Sequence, residues 1–194
     1  MKLELKVIDL LNRNKEKSFT IHEIAKSLNQ HYSFVHRIIG RLSKDNVLIK
    51  KKIGKAHVCS LNIDNEKTAA LLTLAEIERK EEFYQENKEI KLILEDFIHS
   101  IKKDDIYSIL LFGSYAKGSS VKNSDIDILV LVKNKILINR TVKELYAKYG
   151  KEISVIILTF KELRQQKDKE FVKEVISNHY ILYGFEIFSR EMLK

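Results

Sequence analysis

The chain has 194 residues, 44% of them hydrophobic, a formal charge of +8, one cysteine and no proline. That hydrophobic content excludes a disordered chain, and the lone Cys59 excludes an internal disulfide framework. No stretch approaches the ~18 apolar residues of a membrane span. The start, Met1-Lys-Leu-Glu-Leu-Lys-Val, alternates charges with aliphatics where a signal peptide needs an apolar core, so a cytoplasmic protein without a membrane partner is expected. Charge is unevenly placed: residues 1–62 hold 13 Lys+Arg against 5 Asp+Glu, and residues 63–194 hold 22 of each. The whole excess lies in the first third, which predicts a separate domain there with a polyanionic partner.

The N-terminal third opens with aliphatics at helical spacing over residues 3–11. A second helix is expected from Thr20, where Glu23 three residues on completes a capping-box pattern, with Ile21, Ile24, Ala25 and Leu28 inward. Ser33 is expected to cap a third helix whose apolar face is Phe34, Val35, Ile38, Ile39 and Leu42. Residues 47–53 and 56–61 then read as strands around a Gly54-Lys55 turn. Three helices and a basic hairpin resemble a winged helix-turn-helix domain. The resemblance implies DNA as partner, met by Ser33, His36, Arg37 and Arg41 on helix three and by Lys50, Lys51, Lys52 and Lys55 on the hairpin. The alternative is a set of solvated faces used for dimerisation or protein docking. Residues 63–103 read as a helical connector, either two helices or one kinked helix, with a homodimer as one use of its apolar positions.

The centre of the chain carries the densest signal. Leu110-Leu-Phe-Gly113-Ser114-Tyr-Ala-Lys117-Gly118 reads as a strand, a tight turn and a short helix, and Ser124-Asp125-Ile-Asp127-Ile-Leu-Val-Leu-Val132 as a second strand. On a strand, residues i and i+2 share a face, so Asp125 and Asp127 project together at roughly 7 Å while Ile126 and Ile128 face the core. Paired carboxylates repel unless a cation neutralises them, and hard oxygens suit Mg2+, which completes its shell with phosphate and water. Gly113 lets backbone amides approach a phosphate, and the positive end of the helix after it adds to the attraction.

Gly-Ser, ten residues, Asp-x-Asp within a strand-helix-strand unit resembles the DNA polymerase β-type nucleotidyltransferases, closest to their minimal members. The resemblance implies transfer of a nucleoside monophosphate from an NTP, ATP being expected, to an acceptor hydroxyl. Asp125 and Asp127 would be catalytic and hold the Mg2+ cofactor, and Gly113, Ser114, Lys117 and Ser124 would bind the nucleotide. In this family a third acidic residue sits on the next core strand, here residues 152–159, where the aligned position is Ser154. Serine carries no charge. Glu152, two residues earlier on the same face, is either the substitute or a solvated strand-end residue. Residues 160–166 and 171–176 read as amphipathic helices and 180–184 as a short strand.

The expected whole is an α+β protein: a winged helix-turn-helix (1–62), a helical connector (63–103) and a nucleotidyltransferase domain with a mixed sheet and helices (104–194). Its expected function is a Mg2+-dependent nucleotidyltransferase joined to a DNA-binding domain. The alternative is a DNA-binding regulator with a nucleotide-sensing or degenerate transferase domain, including an antitoxin whose acceptor or partner is a toxin.

Overall fold

A computed structural model describes residues 1–14, 17–54, 56–134, 138–166 and 168–192. The chain divides into two compact units, Met1–Glu78 with Ser189–Lys194, and Arg79–Phe188. The helical stretch after residue 62 is therefore shared out. It forms α4 (Glu66–Glu86) and α5 (Lys88–Ser100), broken at Asn87. Leu72 of α4 lies in the first core, while Phe83, Ile90, Ile93, Leu94 and Phe97 lie in the second.

The first unit begins with α1 (Leu3–Arg13), β1 (Phe19–Thr20), α2 (Ile21–Ser27) and α3 (Tyr32–Lys44). β2 (Leu48–Ile53) and β3 (Ala56–Leu61) follow, and the three strands form an antiparallel sheet in the order β1-β3-β2. This is a winged helix-turn-helix. The Thr20 capping box is formed, with Glu23 N–H donating to Thr20 Oγ1 at 3.2 Å and Thr20 N–H to Glu23 Oε2 at 2.7 Å. α3 departs from expectation in two ways. Its N-cap is His31, without a side-chain cap, so Ser33 lies inside the first turn. Phe34 is 46% exposed, and the buried face is Val35, Ile39 and Leu42. The reason is phase: at 3.6 residues per turn, a helix that buries 35, 39 and 42 turns residue 34 about 100° away.

One buried ion pair braces this unit. Arg13 donates to Asp9 Oδ1 and to Glu76 Oε1, each at 2.9 Å. Glu76 is 3% exposed, and burial raises its pKa from 4.5 to about 7 against the pull of Arg13. A carboxyl that holds its proton more tightly when folded opposes folding increasingly as pH rises from 4.5 to about 7. Without Arg13, buried Glu76 loses two hydrogen bonds and takes up a proton at pH 7 rather than stay charged. Arg13→Ala is therefore expected to lower the stability of this unit by about 1–3 kcal/mol in a denaturant titration at pH 7.

The second unit holds a mixed sheet in the order β6-β5-β4-β7, made from β4 (Ile106–Phe112), β5 (Ile126–Val132), β6 (Ile153–Leu158) and β7 (Tyr180–Tyr183). With α5 it holds α6 (Gly113–Lys117), α7 (Asn139–Tyr149), α8 (Phe160–Gln165), α9 (Glu170–Ser177) and the first turn of α10 (Phe185–Met192), whose remainder is counted with the first unit. Central β4 and β5 are almost wholly buried, as continuous apolar runs covered on both faces must be. Ile126, Ile128, Val130 and Val132 pack into one cluster with Ile93, Leu94 and Phe97 of α5 and Leu145 of α7. Asp127, by the period of two, points to the opposite face. β5 and β6 run parallel, linked through α7, and Asp96 of α5 receives hydrogen bonds from Lys148 and Tyr149 at that helix's end.

Candidate active site

The glycine turn and the second aspartate of the central motif meet at one end of this sheet. β4 ends at Phe112, whose partner across the antiparallel ladder is Asp127. The chain then turns through Gly113 at φ +71°. The carboxylate of Asp127 lies against that turn: a β-carbon added at Gly113 would stand 2.0 Å from Asp127 Oδ2. Only glycine meets both the backbone angle and the approach. Gly113 opens α6, partly exposed Ser114 follows, and Gly118 at φ +70° caps its end. A helix of only five residues has little macrodipole, so its positive end adds little to the attraction for an anion at this turn.

Asp125 is exposed just before β5 and Asp127 is half-buried within it. Burial, then Asp125, then Glu174 push the Asp127 carboxyl above its ordinary value of 3.8. Ionised Asp127 thus sits in a field that a cation would relieve. Among the described residues no group of three or more His, Cys, Asp or Glu side chains is arranged to hold a metal. The donor set fits Mg2+ as a two-carboxylate site finished by phosphate and water.

The parallel register sets Asp127 beside Ser154 and, one step earlier, Ile126 beside Ile153, and the carbonyl of Glu152 accepts Ile126 N–H at 2.9 Å. Adjacent strands are about 4.8 Å apart, so Ser154 occupies the flank of Asp127. Asp125, Glu152 and Ser154 line one cleft of about 490 Å³ with Val142, Lys143 and Tyr146 of α7. The side chain of Glu152 is therefore at the site's edge. The Ser124 hydroxyl accepts Val121 N–H at 2.9 Å and its own N–H returns to Val121 O at 2.9 Å, closing the loop that delivers Asp125. Lys151 ties the same loop down, donating to Lys122 O at 2.6 Å.

Lys117 is not a loose cation. Its Nζ stands 2.8 Å from Glu174 Oε1 on α9. Phe171, one turn before Glu174, meets Phe112 edge-on at 5.3 Å and seats α9 against the Gly113 turn. No spacing rule points from Lys117 to a glutamate 57 residues later. For the same reason, nothing in the sequence pattern singles out Glu174, Lys143 or Tyr146 as neighbours of the site.

On the winged helix, His36 and Arg37 are exposed on α3 as expected, and Tyr32 and Phe34 join them. Tyr32 lies 5.7 Å from His36 between ring centroids, and Arg37 lies 5.4 Å over Phe34. Arg41 bonds Glu4, so part of its charge is spent within the unit. Lys50, Lys51 and Lys52 are exposed but alternate: Lys50 and Lys52 share a face with buried Leu48, Lys51 takes the other. Lys55 lies outside the described residues. No described helix is long and apolar enough to cross a membrane.

The family model for polymerase beta nucleotidyltransferases matches residues 95–186. The chain is 31% identical over 121 residues to "Putative protein adenylyltransferase MJ1305" of Methanocaldococcus jannaschii, covering 56% of this chain and 82% of that protein. The chain belongs to the polymerase β nucleotidyltransferase family. A second relative from the same organism, "Putative protein adenylyltransferase MJ0604", is 33% identical over 95 residues and covered over 94% of its length. Among solved structures, similarity extends to MepR, a transcription regulator of the Staphylococcus aureus multidrug efflux pump MepA, over 53% of this chain and 80% of that one at 16% identity and a TM-score of 0.37. A toxin-antitoxin structure with AMP-PNP matches 53% of this chain and 82% of its own at 24% identity and a TM-score of 0.32. Asp127 lies against Gly113 where β4 and β5 pair, Asp125, Glu152 and Ser154 line the cleft beside β6, and Ser124 closes the loop before Asp125.

Proposed function

We propose that the second unit transfers an adenylyl group from ATP to a hydroxyl of a protein, with Mg2+ held by Asp125 and Asp127. The observation that carries this reading is the packing of Asp127 over Gly113, a carboxylate set against a glycine turn of the kind that admits a phosphate. Bound Mg2+ would supply neutralisation of the triphosphate and of charge developing in transfer. The turn N–H groups and Ser114 Oγ hold and orient the terminal phosphates. The acceptor oxygen bonds to the α-phosphorus as the bond to pyrophosphate breaks, and Glu152 at the cleft's edge takes the acceptor's proton. Positioning and fixed charge supply most of the rate. The 490 Å³ cleft beside Asp125 is within the size range of sites that hold a small group and accommodates the acceptor side chain. Pyrophosphate release measured with ATP and the other three NTPs, with and without Mg2+, tests the reading; release that is equal without Mg2+ contradicts it.

For the first unit, we read α3 and the wing as a DNA-binding surface. The support is the local +8 charge of residues 1–62 together with exposed Arg37, His36, Tyr32 and Phe34 on one helix. Removing a side chain that neutralises one phosphate lowers the slope of log K against log salt by about 1. Arg37→Ala and Lys52→Ala are each expected to produce that drop in a salt titration of duplex DNA binding. An unchanged slope in both places the DNA elsewhere.

A further inference from the structure

We propose that Glu174 gates the nucleotide site by competing with the triphosphate for Lys117, an inference that rests on the nucleotide site proposed above. Lys117 ends the helix that begins at the Gly113-Ser114 turn, and in the free protein its ammonium is bound to Glu174 at 2.8 Å. α9 is anchored there by buried Val172 and Val175 and by Phe171 against Phe112. Phe171 and Glu174 are three residues apart, hence on one helix face, so the contact that seats the helix also aims the carboxylate. Without nucleotide, a negative side chain therefore occupies the cation that an incoming anion needs.

Magnitudes make the exchange feasible. The lysine and glutamate side chains are 43% and 31% exposed, and ion pairs so open to water contribute little. A triphosphate offers Lys117 several charged oxygens in place of one carboxylate, and charge-assisted bonds to phosphate are the stronger kind. Lys117 then changes partner on nucleotide binding, and Glu174 holds it in reach when the site is empty. The competition is for phosphate, so it concerns ATP and not adenosine.

The test is a set of calorimetric titrations of ATP, and of adenosine, with Mg2+ into the full chain and into Glu174→Gln, Lys117→Ala and the double variant. Glu174→Gln is expected to bind ATP about two- to five-fold more tightly, with adenosine unaffected. Lys117→Ala is expected to bind ATP more weakly. Adding Glu174→Gln to Lys117→Ala is expected to recover little, because the cation competed for is gone. Unchanged or weaker ATP binding by Glu174→Gln overturns the proposal, as does full tightening in the absence of Lys117, which would mean a general field effect. Both leave the nucleotide site standing. ATP binding absent from the unsubstituted protein removes the nucleotide site as well as the gate.

Discussion

Asp127→Asn is expected to reduce adenylyl transfer by about 10³-fold while leaving the melting temperature of the protein equal or higher. The first half follows from charge. A cation at the site lowers the barrier by several kcal/mol, and each 1.4 kcal/mol is a factor of ten. The amide keeps the shape of the carboxylate but neither its charge nor its affinity for a hard cation. The second half follows from the same burial and neighbours that raise the Asp127 carboxyl. A group whose folded-state value lies above its unfolded one contributes stability when protonated and loses it as pH climbs past the unfolded value. At pH 7 ionised Asp127 opposes folding, so the neutral amide relieves repulsion from Asp125 and Glu174. Stability sacrificed at a site that must gather like charges is a mark of function. Activity assays paired with thermal melts at pH 7 read both halves. A large loss of melting temperature would instead make Asp127 a structural residue.

Gly113→Ala has the next largest expected effect, and it acts on the same contact from the other side. The new methyl would stand 2.0 Å from Asp127 Oδ2 and 2.8 Å from its Cγ. Either the carboxylate rotates away or the turn moves, and both dismantle the pairing of turn and carboxylate. The left-handed backbone adds about 1–2 kcal/mol for any residue with a β-carbon. Transfer is expected to fall nearly as far as in Asp127→Asn, with a destabilisation of about 1–3 kcal/mol. Gly118→Ala separates the two causes. Gly118 has nearly the same angle, φ +70°, but nothing within 4 Å of an added β-carbon, so this variant is expected to lose stability and keep its activity. Equal activity losses in the two variants would contradict the role given to the Gly113 contact.

What was legible in the sequence was what a short stretch of chain decides. The Thr20–Glu23 box spans four residues and formed as expected. Gly113-Ser114 follows the end of β4 and Asp125-x-Asp127 opens its paired neighbour β5, so a pattern only fifteen residues long brought the turn and the carboxylates together. The strand after α7 was expected to set Ser154 where an acidic residue stands in relatives, and the register does place Ser154 beside Asp127. Helix three was harder. Its apolar residues permit two faces, and only packing against α2 and β2 decided that Phe34 turns outward and that His31, not Ser33, is the N-cap. Three lysines in a row look like one basic stripe, yet a strand must send the middle one to the other face. Glu174 was beyond reach because its place depends on Phe171 finding Phe112, a contact between residues 59 apart that no local periodicity encodes.

The most direct test of the central claim is titration calorimetry of ATP into the full protein with Mg2+, without Mg2+, and with Mg2+ into Asp127→Asn. Binding that requires Mg2+ and is lost in the variant is the result predicted from a carboxylate pair set against the Gly113 turn. ATP binding that is the same in all three titrations would contradict it.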